Sequence, residues 1–265
     1  MRHANFHAHT VFSDGAHTVE ENVREAQAQN MLALGFSDHS CTVFDSGYCM
    51  SPEKYGLYRK TVEACRRDCA VPLFCGIELD AFSQSSAGEF DFTIASAHYV
   101  FRGGEYYAMD RSPQEHQRCI REAFGGSLMD MLRCYCDTLG EHVAKINPTF
   151  VGHVDLPAKF CTMPEDSEEY RGILEDAIKH LVRLCPYLEM NTGAISRGYR
   201  EVPYPAPYLL DCIRREGGRI VLNSDSHRAE HLTYRFDECV TLLKEKGFRE
   251  IYIFNGKTME PVALE

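Results

Sequence analysis

Short apolar runs alternate with helical stretches along almost the whole chain, and this alternation constrains the fold more than any other sequence feature. Strand–helix–strand alternation is typical of mostly parallel sheets whose helices pack outside. The runs are short, rich in residues that favour strands, and several end in polar side chains. We predict strands over Ala4–His7, Ala33–Ser37, Leu73–Ile77, Phe92–Ala97, Phe150–His153, Tyr187–Met190, Arg219–Asn223 and Ile251–Phe254.

The segments between the apolar runs begin with patterns that are typical of helix N-termini. Thr18 and Glu21 form the T-x-x-E pattern of a capping box, and a proline in the first turn follows both Ser51 and Ser112. About seven or eight strand–helix repeats suit a closed barrel better than an open sheet, and a length of 265 residues suits one large domain over residues 1–265. The predicted helices are Thr18–Asn30, Ser51–Asp68, Ser112–Phe124, Leu128–Leu139, Ser167–Leu184, Pro205–Glu216 and Leu232–Lys246.

Charge and motif content disfavour nucleic acids and nucleotides as partners. Lys and Arg number 28 and Asp and Glu number 39, so the formal net charge is −11. An acidic chain repels the phosphate backbone, which disfavours a nucleic-acid partner. The glycine-rich loops GxGxxG and GxxxxGK[ST], which bind nucleotide phosphates, do not occur.

The cysteines and the apolar segments bear on the compartment. The 12 cysteines are scattered without any CxxC pair, which predicts reduced thiols in a cytoplasmic protein. The opening MRHANFHAHT lacks the pattern of a secretory signal. No run of about 18 apolar residues occurs, so no membrane span is expected, and no oligomeric state is predicted.

Residues capable of metal chemistry follow the predicted strands. The first run ends in His7-Ala8-His9, and because strand side chains repeat every two residues, both imidazoles face the same way. An isolated pair of this kind is as readily explained by two core or surface histidines that bind no metal. Histidines and acids, however, also follow the other runs, and the carboxyl ends of parallel barrel strands meet at one rim. The pattern therefore predicts one joint metal site.

Nine side chains are the candidate metal ligands. Imidazole and carboxylate without thiolate suit zinc, manganese or iron better than calcium. One tetrahedral ion needs about four ligands, so this set implies two or three divalent ions with Glu78 or another carboxylate as a bridge. Ions about 3.5–4 Å apart suit in-line hydrolysis of phosphate esters. The candidates are His7, His9, Asp14, His39, Glu78, His98, His153, Asp225 and His227.

The motif order HxH, SDG, SDH, GIE, SAH, GHVD and SDSH resembles the polymerase-and-histidinol-phosphatase (PHP) superfamily, and the match runs from His7 to His227. Three further segments, 91–98, 152–156 and 188–193, are similar to the histidinol-phosphatase branch. The resemblance implies a distorted seven-stranded (β/α) TIM-like barrel with a trinuclear metal site at the C-terminal ends of the strands. It also implies a phosphatase that acts on a small phosphorylated substrate.

The resemblance also divides the ligands among three ions. Asp14, His39 and His227, which it assigns to the third ion, are also expected to act in catalysis. Many histidinol phosphatases carry Phe-Cys-x-His-Gly after the first motif, whereas this chain has Phe12-Ser13-Asp14-Gly15. Asp14 is therefore the expected ligand and His17 the alternative. The implied sets are His7, His9, Glu78 and Asp225; Glu78, His98 and His153; and Asp14, His39 and His227.

Other charged residues near the strand ends are candidates for supporting roles. Arg197 and Lys159 lie in loops after predicted strands and could bind a substrate phosphate, because arginine makes bidentate contacts with phosphate oxygens. Solvated surface charges are the alternative interpretation for both. Asp38, Asp80 and Asp155 each lie near a candidate ligand and are candidates for hydrogen bonds to the ligand histidines.

Three functions remain open from the sequence. The first is hydrolysis of histidinol phosphate to L-histidinol and phosphate in histidine biosynthesis, favoured by the branch-like segments. The second is another PHP-type phosphoesterase that acts on small nucleotides or on nucleic-acid ends, which the net charge of −11 disfavours. The third is a non-catalytic binding module, which the complete ligand set disfavours.

Overall fold

A computed structural model describes residues 2–86, 88–161 and 167–264. Strands and helices alternate through most of this part of the chain. The strands are β1 (Ala4–Asn5), β2 (Ala33–Phe36), β3 (Leu73–Asp80), β4 (Phe92–Ser96), β5 (Tyr99–Arg102), β6 (Glu105–Ala108), β7 (Phe150–Val151), β8 (Tyr187–Asn191), β9 (Arg219–Asn223), β10 (Glu250–Phe254) and β11 (Met259–Ala263).

The helices cover the outside of the sheet. The capping box is confirmed, since the Thr18 hydroxyl accepts the N–H of Glu21 at 3.2 Å and the Glu21 carboxylate accepts the N–H of Thr18 at 2.8 Å.

Every helix among the described residues is too short or too polar to span a membrane. The helices are α1 (Val19–Ala28), α2 (Tyr55–Asp68), α3 (Pro113–Arg118), α4 (Leu128–Ile146), α5 (Glu168–Leu184), α6 (Gly193–Ser196), α7 (Pro207–Arg215) and α8 (Phe236–Glu245).

Seven parallel strands form the main sheet in the order β1-β2-β3-β4-β7-β8-β9. A bridge between Ala8 and Ser226 joins its two edges. At this seam the Ser226 carbonyl accepts the N–H of His9 at 2.8 Å, and the Ser226 N–H donates to the His7 carbonyl at 3.0 Å. The predicted seven-stranded α/β barrel is therefore confirmed.

Four phenylalanines, Phe6, Phe92, Phe150 and Phe254, form what we call the aromatic floor of the barrel. Phe92 and Phe150 are the first residues of β4 and β7, so the floor fills the N-terminal end of the strands. The Phe92 ring lies 5.8 Å from that of Phe6 and 5.7 Å from that of Phe254 between centroids. Gly76 on β3 leaves room for it, because a Cβ there would lie 2.3 Å from the Phe92 ring.

Element boundaries differ from the prediction where side chains replace the main-chain ladder. The runs Ala4–His7 and Phe150–His153 are strands only as β1 and β7. Beyond β1, the N–H of Phe6 donates to the Asn223 side chain at 2.7 Å instead of to a neighbouring strand. In contrast, β3 continues three residues beyond the predicted end at Ile77.

Some elements were not predicted. The hairpin β5–β6 and strand β11 were missed, and β10 pairs antiparallel with β11 instead of joining the barrel. The predicted helix Ser112–Phe124 continues beyond α3 as a π turn over Cys119–Ala123. Helix α4 extends to Ile146, and α7 and α8 begin two and four residues later than predicted.

Candidate metal centre

The nine predicted ligands converge at the rim formed by the C-terminal ends of the barrel strands. Within each of four groups, one donor atom per residue lies within 4.8 Å of the others. All nine are buried except Asp14 and His227, whose side chains are 31% and 22% exposed. The groups are His9, Asp14, His39 and His227; His7, His9 and Glu78; His7, His153 and Asp225; and His39, Glu78 and His98.

Glu78 lies at the centre of the rim because of the alternation along β3. Gly76, two residues earlier, faces the aromatic floor, and Asp80, two residues later, contacts the His98 ring. Oxygen Oε1 of Glu78 faces two ring nitrogens and Oε2 faces three, as suits a bridge between two cations. The distances run from 2.8 to 3.7 Å and involve, in increasing order, His39, His153, His7, His98 and His9.

Asp14 faces an outer group of imidazoles. Its oxygen Oδ2 lies 3.2 Å from Nε2 of His227. Its oxygen Oδ1 lies 3.7 Å from Nε2 of His39 and 3.8 Å from Nδ1 of His9. These distances are compatible with one cation between a carboxylate and several rings, but are mostly too long for hydrogen bonds.

The loop that carries Asp14 is held by the buried carboxylate of Asp38. This carboxylate accepts the N–H of Ser13 at 3.0 Å and its hydroxyl at 2.6 Å. A Cβ at Gly15 would lie 2.4 Å from the backbone carbonyl of His9, so the close turn requires glycine. His17 belongs to none of the four groups, and its Nδ1 accepts the backbone N–H of Ala229 at 3.1 Å. The geometry favours Asp14 over His17.

Asp225 connects the ligand groups to an arginine. It has a left-handed φ of 46°, a conformation that aspartate tolerates better than most residues. Its Oδ1 lies 3.3 Å from Nε2 of His9 and 3.8 Å from Nε2 of His7. Arg197 donates to its Oδ2 at 3.0 Å, and another guanidinium nitrogen lies 2.7 Å from Nδ1 of His227.

Several buried donor atoms at the rim have no hydrogen-bond partner among the described residues. Leaving a buried polar atom unpaired costs about 1–3 kcal/mol, so such a cluster is normal only where something else binds it. The donors are imidazoles and carboxylates, the ligands that zinc, manganese and iron accept. The residues therefore fit divalent transition metals. The unpaired atoms include His7 Nε2, both ring nitrogens of His9 and His153 Nδ1.

The electrostatics of the rim favour added positive charge. Burial, together with the neighbouring rings of His39 and His227, lowers the pKa of His9 to about 3 and keeps that ring neutral. Burial opposes protonation of His39, but the carboxylates of Glu78 and Asp14 outweigh it and raise its pKa to about 10. Burial also opposes ionisation of Glu78, yet His7 and His39 hold its pKa well below the usual range. In the metal-free protein, protons on imidazoles thus balance the carboxylates.

One of the three aspartates expected to orient histidines does so. Asp80 lies 3.1 Å from Nδ1 of His98 and accepts the backbone N–H of the same residue at 2.9 Å, which leaves Nε2 facing the rim. The expectation was wrong for Asp38, which binds the loop described above. It was also wrong for Asp155, which accepts the N–H of Ala206 at 2.9 Å and pairs with Arg200. Backbone N–H groups compete for both carboxylates.

Glu189 was missed by the sequence reasoning. It is completely buried on β8 and lies 2.7 Å from Nδ1 of His7. A signal for it was present, because an acid stands inside the apolar run Tyr187–Met190, two residues before Asn191 and so on the same face.

A cavity of about 440 Å³ opens over the rim. Both predicted phosphate-binding cations, Arg197 and Lys159, line it. Lys159 donates to the backbone carbonyl of Asp110 at 2.7 Å and to its carboxylate at 3.2 Å.

Another part of the lining of this cavity was not predicted. Tyr99 donates to Asp45 at 2.6 Å, and Arg111 pairs with the same carboxylate. These residues come from the hairpin β5–β6 and from loops without a periodic pattern, so no sequence signal identified them.

The chain is similar in sequence to known phosphatases and to one family model. The model of the PHP domain family matches residues 5–193. Histidinol-phosphatase of Lactococcus lactis subsp. lactis is 26% identical, with 98% of this chain and 97% of that protein covered. A probable histidinol-phosphatase of Deinococcus radiodurans is 25% identical, with 96% and 97% covered.

Solved structures share the fold. The histidinol phosphate phosphatase of Lactococcus lactis, crystallised with zinc, L-histidinol and phosphate, superimposes with a TM-score of 0.69 at 24% identity, covering 98% of this chain and 99% of that one. A putative histidinol phosphatase of Listeria monocytogenes gives a TM-score of 0.75 at 18% identity, covering 89% and 99%. Since the family model spans more than half of the chain and includes seven of the nine proposed ligands, the chain belongs to the PHP domain family.

Proposed function

We propose that this protein is a metal-dependent phosphomonoesterase that hydrolyses L-histidinol phosphate to L-histidinol and phosphate in histidine biosynthesis. The observation that carries the proposal is the convergence of nine imidazole and carboxylate donors beneath a cavity whose lining includes the two predicted phosphate-binding cations, Arg197 and Lys159. The histidinol phosphatases that match nearly the whole chain support the substrate. A cavity of about 440 Å³ has the size of sites for small molecules.

The donors would hold two or three divalent ions, with Glu78 as a bridge. Bound ions would supply a water acidified to near-neutral pKa and positive charge for the phosphate oxygens. Zinc, manganese and iron all suit the donors. Zinc is present in the related crystal structure from Lactococcus lactis. The ligand sets are His7, His9, Glu78 and Asp225; Glu78, His98 and His153; and Asp14, His39 and His227, the last three also acting in catalysis.

The cations of the cavity would bind the phosphate group. Arg197 is anchored on Asp225, and its Nε has no hydrogen-bond partner among the described residues. A guanidinium so placed presents N–H groups to phosphate oxygens in a fixed direction. Lys159 is oriented by Asp110 and by the ring of Tyr199, 4.7 Å from its ammonium group. Both residues would hold the phosphate group in line with the attacking water.

The proposal includes a single barrel domain over residues 1–265 in a reducing compartment, the cytoplasm. All twelve cysteines are free, as is usual for cytoplasmic proteins. Burial raises the pKa of Cys75 to about 12 and so keeps that thiol inert.

A substrate panel tests the proposal. Phosphate release is measured from histidinol phosphate, a 5′-mononucleotide and a short oligonucleotide, with added manganese or zinc and after chelation. We expect metal-dependent turnover of histidinol phosphate with kcat/KM at least about 100-fold above the other two substrates, a preference of about 2.7 kcal/mol. Comparable turnover of all three would contradict the substrate, and no turnover with any metal would contradict the enzyme.

A further inference from the structure

We infer that Glu189 is a positioning residue that fixes the ring of His7 with Nε2 free for a metal ion. The inference rests on the metal centre of the proposed function. Glu189 is completely buried on β8, and both of its oxygens face N–H donors. No other described carboxylate outside the nine donors contacts both His7 and the backbone of a second proposed ligand, His153.

Four nitrogens surround the Glu189 carboxylate. Oxygen Oε1 lies 2.7 Å from Nδ1 of His7 and 3.0 Å from the amide nitrogen of Asn223. Oxygen Oε2 accepts the backbone N–H of His153 at 3.0 Å and the amide N–H of Asn191 at 2.9 Å. An ionised carboxylate has about four acceptor sites, so this group is saturated.

Three of the four partners are obligatory donors. The N–H of His153 belongs to the backbone. The amide orientation of Asn191 is fixed because its oxygen accepts the N–H of Gly193 at 2.8 Å. The amide of Asn223 is fixed in the same way by the N–H of residue 6, which donates to its oxygen at 2.7 Å. The network leaves Glu189 no role except acceptor.

The remaining partner is the His7 ring, the only one that can adapt. Opposite an acceptor, a neutral imidazole carries its proton on Nδ1 and exposes a lone pair on Nε2. Nε2 lies 3.3 Å from Glu78 and 3.8 Å from Asp225 and has no hydrogen bond among the described residues. Glu189 therefore selects the tautomer that a metal ion between these groups requires.

The isosteric variant Glu189→Gln tests the selection. The glutamine amide can be placed in two orientations. If its NH₂ group takes the Oε2 position, that group faces the two obligatory donors from His153 and Asn191. At the Oε1 position it would face only one, from Asn223, and His7 would become an acceptor at Nδ1. The second orientation conflicts with fewer donors, and it moves the His7 proton onto Nε2, where it competes with metal.

Two measurements that do not depend on activity are decisive. Zinc affinity, from competition with a chromogenic chelator, is expected to fall about 10–100-fold in Glu189→Gln. In zinc-loaded wild-type protein labelled with ¹⁵N-histidine, His7 is expected to show a metal-shifted Nε2 and a hydrogen-bonded Nδ1–H. The spectrum needs no variant, so it tests the inference even if Glu189→Gln does not fold.

Asp155→Asn is the matched control. Asp155 is also a buried carboxylate that accepts a backbone N–H, but it contacts no proposed ligand ring. Its zinc affinity should stay within about twofold of wild type, because only neighbours of a metal ligand alter metal affinity directly. Equal affinity in Glu189→Gln and wild type, an equal loss in Asp155→Asn, or zinc on Nδ1 of His7 would each overturn the inference. Failure of wild-type protein to bind zinc would instead count against the proposed function.

Discussion

The two ends of the barrel are built from the same strands but are packed in opposite ways. At the N-terminal end, the aromatic floor fills the interior with rings that need no polar partner. At the C-terminal end, several buried ring nitrogens of the rim have no hydrogen-bond partner among the described residues. On β3, Gly76 faces the aromatic floor, and Glu78, two residues later, faces the rim. The N-terminal ends of the strands therefore contribute mainly to stability, and their C-terminal ends carry the candidate ligands.

The largest expected effect is at the rim. Glu78→Gln removes the charge of the proposed bridge, and we expect kcat/KM for histidinol phosphate to fall at least about 10⁴-fold, a loss of about 5.5 kcal/mol of transition-state stabilisation. The metal content of the purified protein, measured by mass spectrometry, should fall as well. Glu238→Gln, on the exposed face of α8, is the control and should change neither quantity. Full activity with full metal content in Glu78→Gln would refute the bridge.

The second effect is at the floor. Phe92→Ala should lower the free energy of unfolding by about 3–5 kcal/mol, because it opens a cavity in a fully packed aromatic cluster. The measurement is urea denaturation in the presence of a chelator, so that metal does not contribute. Phe101→Ala, with a parent side chain 45% exposed, should cost far less. If the floor and the rim are separable, the folded Phe92→Ala protein keeps its metal content, and metal loss would contradict that separation.

A smaller effect is expected at the cavity wall. Arg197→Lys keeps the charge but loses the paired N–H groups, so KM should rise about 10–100-fold, as for the loss of a charged hydrogen bond worth about 1.5–3 kcal/mol. Steady-state kinetics on histidinol phosphate measure the change. The exposed Arg133, which pairs with Glu169 on the surface, provides the control substitution Arg133→Lys. An unchanged KM would remove Arg197 from the phosphate site.

The smallest effect is a pH dependence that is confined to the rim. The pKa of His39 is raised to about 10 from 6.5, so its protonated ring stabilises the metal-free protein fully below pH 6.5 and progressively less as the pH rises towards 10. Metal binding requires the neutral ring. The zinc-induced rise in Tm should therefore be larger at about pH 8 than at about pH 6, measured by thermal unfolding with and without zinc. An equal or smaller rise at the higher pH would contradict this balance.

Much of the barrel and the rim followed from local sequence pattern. Histidines follow the ends of β1, β2 and β4 within two or three residues, and the carboxyl ends of parallel strands meet in any closed barrel. That rule is sufficient to predict that the metal-binding side chains converge, although it does not give the distances between them.

What escaped prediction depends on partners distant in the chain. Glu189 gains its role from His7 and Asn223, which no periodicity connects. Phe254 belongs to the floor although β10 lies outside the barrel sheet. Asp38 and Asp155 were assigned wrongly because backbone N–H groups in nearby turns are equally good partners for a carboxylate.

The seam between Ala8 and Ser226 has a consequence for biogenesis. Two of the proposed ligands, His7 and His9, are synthesised before Asp225 and His227, which lie across the seam and emerge from the ribosome more than two hundred residues later. A nascent chain therefore offers the early histidines only incomplete coordination. If these residues hold the proposed metal ions, full loading would have to wait until the last barrel strand docks, which would make metal binding a late step in folding.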